Sequence, residues 1–174
     1  IFGFIGHALG SGIRSVLFSL TRGWLAHPFS FQKQSVYYRK ISWASASFGL
    51  FTDISMGALG GKLKFKESIT AHFADVVGYL YIASAVLKKY ESEGEKSEDW
   101  PIVKHTLDHA FHEIENAFQE VYSNFPHAIL GPVLKVVNVW SRLNPIGSAV
   151  SDKTIEQLFR KVFSPDGQVQ MDRL

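Results

Sequence analysis

His105, His109 and His112 are spaced four and three residues apart, so a helix would bring all three imidazoles to one face, within reach of a single metal ion. On that helix they fall beside Asn116 and Gln119 and opposite Leu107, Ala110 and Ile114. The expected reading is therefore a solvated polar face, because open surface histidines lack the outer groups that orient true ligands, and no metal site is assigned. Asp53 is the single charge between Lys40 and Lys62. In a buried helix it is either a base with a raised pKa or a carboxylate held by an Arg, a Lys or a helix end. The second is expected, with Arg14, Arg22 and Arg39 as candidate partners, since an unpaired buried carboxylate is costly. Gly3, Gly6, Gly10 and Gly12 suggest a phosphate cradle, but no strand pattern precedes them and no Gly-Lys-Ser/Thr follows. Close helix packing explains them better. No serine sits in a Gly-x-Ser-x-Gly elbow and no carboxylate pair suggests glycosidase chemistry, so no catalytic residue is assigned.

Helices must position these groups, since no stretch alternates as a strand does. The first is expected over about Ser35 to Leu59, stopped by Gly60-Gly61 in a left-handed cap. Ile41, Phe48, Ser55 and Leu59 on one side and Trp43, Leu50 and Ile54 on the other make it buried on more than one face. The second, from about Lys66 to Lys89, carries Ile69, Phe73, Val76, Leu80, Ala83, Leu87 and Tyr90 in steps of four and three, the stripe that antiparallel bundle packing requires. A polar, acidic run from Glu91 to Asp99 with Gly94 as a stop reads as a solvated loop.

Pro101 opens a third helix, with Glu98 and Asp99 at its positive end. Val103, Leu107, Ala110, Ile114, Ala117 and Val121 form its inner stripe, widened by Phe111 and Phe118, before Asn124 and Pro126 end it. From Ala128 to Leu143 the chain is strongly apolar, with Lys135 and Arg142 as the only charges. Two readings stand for it: a buried helix of the bundle, or an amphipathic element on a membrane surface or at a subunit interface. A last amphipathic helix is expected from Asp152 to Phe163, capped by Ser151, before the Pro165-Asp166-Gly167 turn.

The chain of 174 residues, 46% hydrophobic and 20% charged, has the composition of one globular domain. The absence of cysteine excludes disulfides, zinc-thiolate and iron–sulfur sites and thiol nucleophiles, and fits a reducing cytoplasm. The net charge of +2 is spread among acids rather than gathered into a stripe, which argues against nucleic acid. The chain starts at Ile1 and its first methionine is Met56, so it reads as part of a longer protein. The expected organisation is an all-α antiparallel bundle over 35–163, preceded by a Gly-rich connecting segment, 1–34, from an upstream module and followed by a frayed or truncated tail, 164–174.

Ser45-Ala46-Ser47-Phe48, Asp53-Ile54-Ser55-Met56, Leu59-Gly60-Gly61-Lys62-Leu63-Lys64 and Leu80-Tyr81-Ile82-Ala83-Ser84-Ala85-Val86-Leu87-Lys88 resemble the C-terminal region of bacterial long-chain acyl-CoA dehydrogenases. The likeness continues through Tyr90, Glu93-Gly94 and Asn124-Phe125-Pro126 and begins near Gly6-His7 and Leu20-Thr21-Arg22-Gly23, so it covers most of the chain. The three-histidine face is not part of the pattern. The resemblance implies oxidation of an acyl-CoA thioester to the trans-2-enoyl-CoA, with hydride passing to FAD and an electron-transfer partner reoxidising the flavin. It implies that the family's glutamate base, in a Val-Glu-Gly-type motif absent here, and most of the FAD site lie upstream of Ile1. It also implies a homodimer, cytoplasmic or peripheral at the inner membrane, to which this region supplies packing, dimerisation or membrane contact. A rival reading is a non-catalytic helical module that binds a membrane or a protein.

Overall fold

A computed structural model of the chain describes residues 33–143, 145–147, 149, 155–156, 158–160 and 163. The glycine cluster of the first 32 residues and most of the tail lie outside the described residues. Every regular element among the described residues is helical, and four of them carry the architecture: α1 (Ser35–Leu59), α2 (Glu67–Ser92), α3 (Trp100–Asn124) and α4 (Leu130–Leu143).

Helix α1 stops where the sequence says it should. Gly60 takes φ 51°, a conformation that costs a side chain but not a glycine, and its N–H closes on the Met56 carbonyl. A short 3-10 segment, Gly60–Phe65, then reverses the chain into α2. The turn into α3 is clamped twice by one residue: the Glu95 N–H donates to the Tyr90 carbonyl at 3.0 Å, and the Tyr90 hydroxyl donates to the Glu95 carbonyl at 3.0 Å. Gly94 (φ 86°) and Glu95 (φ 55°) supply the left-handed turn, and Tyr90 meets Trp100 with ring centroids 5.4 Å apart.

Contacts along the helices give their directions. Tyr38 near one end of α1 reaches Glu91 at the end of α2, whereas Phe48 meets Phe73 near the start of α2, so α1 and α2 are antiparallel. Tyr37 lies against Phe111, and Phe51 against Tyr122, so α1 and α3 run the same way. Helix α4 returns along α3, with Asn138 at Ser123 and Ser141 at Glu115. The result is an up-down-up-down antiparallel bundle, as expected from the stripes.

The core is aromatic at its centre. Phe111 and Phe118 are fully enclosed, and Phe118 is flanked by Trp43, Phe51 and Tyr122 at ring separations of 5.7, 5.9 and 5.9 Å. Of the α2 stripe, Ile69, Phe73, Val76, Ala83, Leu87 and Tyr90 are buried, with Leu80 half-buried against the core. The α3 stripe is buried from Leu107 to Val121, with Val103 half-buried at its start.

Two expectations are corrected. Helix α1 packs both named sides, with Trp43, Ser55 and Leu59 buried and Ile41, Phe48 and Ile54 half-buried against the core, but as one broad inner face that leaves Ser45, Asp53 and Met56 exposed. Helix α4 is not simply a core helix, for it packs only against α3 among the described helices and leaves its far side open. Helical backbone at 155–156 and 158–160 falls inside the final helix expected over 152–163, the rest of which lies outside the described residues.

Candidate functional site

Asp53 is exposed, so the buried carboxylate foreseen from its lone position does not exist. The reason is register: Asp53 stands two residues from both Phe51 and Ser55, which on a helix turns it away from the face those two bury. Of its candidate partners, Arg14 and Arg22 lie outside the described residues, and Arg39 stands fourteen residues back on the same helix, about 21 Å along its axis.

The three histidines do share a side of α3, but it is not uniformly solvated. His109 is open, 3.8 Å from Glu113 and edge-on to Tyr79. His112 is half-buried, its Nε2 3.3 Å from the Asn116 amide. His105 is half-buried too, and its Nδ1 is enclosed without a hydrogen-bond partner among the described residues. Among the described residues no three His, Asp or Glu side chains are gathered as metal ligands would be. Further along the same helix α4 packs on α3, through a 2.7 Å hydrogen bond from the Asn138 amide to the Ser123 hydroxyl and through contacts to Glu115.

Glu115 is the polar residue that the sequence reading passed over. It is 3% exposed. Its carboxylate accepts hydrogen bonds from the Ser141 hydroxyl, from the Ile146 N–H at 3.0 Å and from the Gln119 amide at 3.4 Å. A serine beside a carboxylate invites comparison with a nucleophile, yet Ser141 donates straight to Glu115 with no imidazole between them and is itself buried. The cluster is a staple that holds α4 and the turn after it onto α3. One signal could have found it: Glu115 stands four residues after Phe111 and three before Phe118, inside an otherwise aromatic row.

A second polar cluster joins α1 to α3. The Tyr37 hydroxyl donates to Asp108 at 2.8 Å, and Lys104 pairs with the same carboxylate. Burial, and after it the hydrogen bond to Asp108, holds the Tyr37 phenol well above the usual tyrosine range. Lys40 lies 5.4 and 5.3 Å from the centroids of the Tyr37 and Phe111 rings, and loss of water pulls its ammonium below the ordinary lysine pKa against the pull of Asp108.

At the far end of α2, Tyr38 donates to Glu91 at 2.6 Å, and desolvation, then that bond, pushes its phenol up to about 12. A pKa raised on folding gives stability that is present below the unfolded value of 10.0 and is lost as pH climbs to about 12. The urea midpoint is therefore expected to fall between pH 10 and 12, and Tyr38→Phe to flatten part of that fall. Identical alkaline slopes for the two proteins would contradict it.

A cleft of about 130 Å³ opens at the α2–α3 turn, lined by Val86, Tyr90, Ile102, Val103 and Thr106 with Lys89, Glu93 and Asp99 at its rim. It is too small for a flavin, and its two carboxylates oppose a pyrophosphate. This cleft thus does not fit FAD, and no chemical step is assigned to it. What the described residues form is a helical scaffold with two internal polar staples.

No solved structure matches the chain. The family model described as "Acyl-CoA dehydrogenase, C-terminal, bacterial type" matches residues 1–174, its whole length. An all-α bundle of this order, joined by the Leu-Gly-Gly turn and the Leu-Tyr-x-Ala-Ser stripe, is thereby placed: the chain belongs to the acyl-CoA dehydrogenase family, as its bacterial-type C-terminal domain.

Proposed function

We infer that this domain is the C-terminal part of a FAD-dependent enzyme that oxidises long-chain acyl-CoA to trans-2-enoyl-CoA in fatty-acid β-oxidation. The observation that carries the reading is the match of the bacterial-type C-terminal family over all 174 residues. In this reading the flavin, the base and the acyl-CoA site belong to a catalytic module upstream of Ile1, and an electron-transfer partner reoxidises the flavin. The enzyme works as a homodimer in the cytoplasm, at the inner face of the membrane.

The domain's share is packing. Helix α2 offers the surface for it, since Val77, Tyr81 and Ile82 are 46, 75 and 42% exposed and the small residues Ala74, Gly78 and Ala85 are exposed around them. Small residues beside large ones let a partner helix approach closely, which suits the catalytic module or a second subunit.

The test compares two proteins. The full-length enzyme should be yellow and should reduce an artificial electron acceptor when given palmitoyl-CoA. Residues 1–174 alone should give the circular dichroism of a helical protein, with neither flavin absorbance nor turnover. Stoichiometric FAD or turnover in the isolated chain would overturn the division of labour, and a colourless full-length protein would overturn the flavoenzyme reading itself.

A further inference from the structure

The side of α2 that faces away from the core is laid out symmetrically about Gly78. Ala74 and Ile82 lie four residues from it, Ala71 and Ala85 seven, and Glu67 and Lys89 eleven, and all seven residues are exposed. Steps of four and three keep the row on one side of the helix, opposite the buried stripe from Ile69 to Tyr90. The row is charged only at its ends, acidic at one and basic at the other, and the exposed apolar residues Val77 and Tyr81 border it.

Gly78 has no explanation inside the domain. It is the single glycine of α2 and stands near the middle, where glycine weakens a helix relative to alanine. Nothing among the described residues stands within 4 Å of the place a Cβ would take. The room is therefore left outside the bundle, at a point where a missing side chain lets another backbone come close.

Charge and symmetry together choose what comes close. A second copy laid antiparallel, with the two Gly78 residues level, sets Ala71 of each copy at Ala85 of the other, Ala74 at Ile82 and Glu67 at Lys89. The row is thus its own complement, as a two-fold contact requires. Both ends then carry a pair of opposite charge, although Lys89 also lies 3.9 Å from Glu93 of its own helix. A parallel pairing would instead set Glu67 against Glu67 and Lys89 against Lys89. The row is about 33 Å long and 10 Å across, on the order of 300 Å² from each copy, where a stable interface takes about 800 Å². It is therefore one part of a larger contact, and what it supplies is register.

We propose that the outer face of α2 meets its own counterpart on a second copy of the chain, antiparallel and crossing at Gly78, with Glu67 and Lys89 pairing across both ends. The proposal names the partner of the α2 surface and rests on the homodimer of the reading above, but not on the chemistry of the catalytic module.

The test uses the full-length enzyme with single thiols placed along α2. The 174 residues contain no cysteine, and unaltered enzyme treated alike sets the background from the rest of the protein. Under mild oxidation Gly78→Cys should give a disulfide-linked dimer, since the crossing brings the two positions within the Cα separation of about 4 to 7 Å that a disulfide needs. Its Cβ meets open space, so the fold should hold. Ala71→Cys alone leaves its two thiols about 21 Å apart along the contact and should link ~10-fold more slowly or worse, whereas Ala71→Cys with Ala85→Cys in the same chain should link readily. Glu67→Lys should slow linking through Gly78→Cys by ~3-fold or more, and adding Lys89→Glu should restore it. Flavin content and turnover of palmitoyl-CoA report on the enzyme reading independently and should not change. Wild-type enzyme that sediments as a monomer would overturn the homodimer and this contact together. A wild-type dimer whose Gly78→Cys variant links no faster than Ala71→Cys would overturn the contact alone. So would a 71–85 pair that fails to link, which would leave the upstream module as the cover of α2.

Discussion

Leu87→Asp is expected to unfold the domain at room temperature. Leu87 has no exposed surface and shares a core cluster with Leu107, Phe111 and Phe118. Truncating a buried leucine costs about 2 to 5 kcal/mol, and an unpaired carboxylate in the same space adds its own desolvation, so the total of about 5 kcal/mol or more rivals the stability of a whole domain. Leu87→Met keeps the volume and the apolar character and should cost less than about 1.5 kcal/mol. Tyr81→Asp, six residues earlier at a position 75% exposed, should leave the unfolding midpoint almost unmoved. The three together test which face of α2 is the core. A cooperative, unshifted melt for Leu87→Asp would mean that the stripe from Ile69 to Tyr90 does not face α1 and α3.

The helices and their inner stripes were legible in the sequence because they are local. Glycines at 60 and 94 stop helices for a steric reason that needs no partner, and the four-three spacing from Ile69 to Tyr90 defines a face whatever that face meets. What covers each remaining face was not legible. Asp53 looked buried because its neighbours in sequence are apolar, yet burial is decided by register against α3. His112 looked solvated because it opposes the α3 stripe, yet the turn after α4 comes back onto its backbone at Gly147. The Ala128 to Leu143 run reads by composition as either core or a surface-facing amphipathic element, and the structure splits it by phase: Leu134 is buried, whereas Val136, about 200° further round the helix, is exposed. Val137, an obvious residue to probe from sequence alone, packs against the core, so Val136 and Val139 report on the outer face far more cleanly. Glu115 was missed for the converse reason. Its partners Ser141 and Ile146 are 26 and 31 residues away, so the aromatic row around it could mark the position as inward-facing but could not say what would satisfy the carboxylate.

Glu115→Ala should therefore have an effect out of proportion to one surface-like glutamate. The Ile146 N–H and the Ser141 hydroxyl would lose their acceptor inside the protein, and the Gln119 amide would lose its own. Each buried donor left unpaired costs about 1 to 3 kcal/mol, offset in part by no longer burying a charge, which puts the net at about 2 to 4 kcal/mol. The damage should be local. Helix α4 touches no described helix except α3, so the α1–α3 core keeps its contacts while α4 loses the anchor at its end. In hydrogen exchange the amides of 130–147 should lose protection well before those of α2 and α3. Glu115→Gln, which keeps one acceptor oxygen, should fall between the two. A matching effect is expected at Gly147, where an added Cβ would lie 2.2 Å from the Phe111 carbonyl oxygen and 2.5 Å from the His112 nitrogen, so that Gly147→Ala must lift the turn off the α3 backbone. If Glu115→Ala and Gly147→Ala both leave exchange over 130–147 at the wild-type rate, α4 is held by Leu134 and its half-buried neighbours alone, and the polar staple contributes nothing to its position.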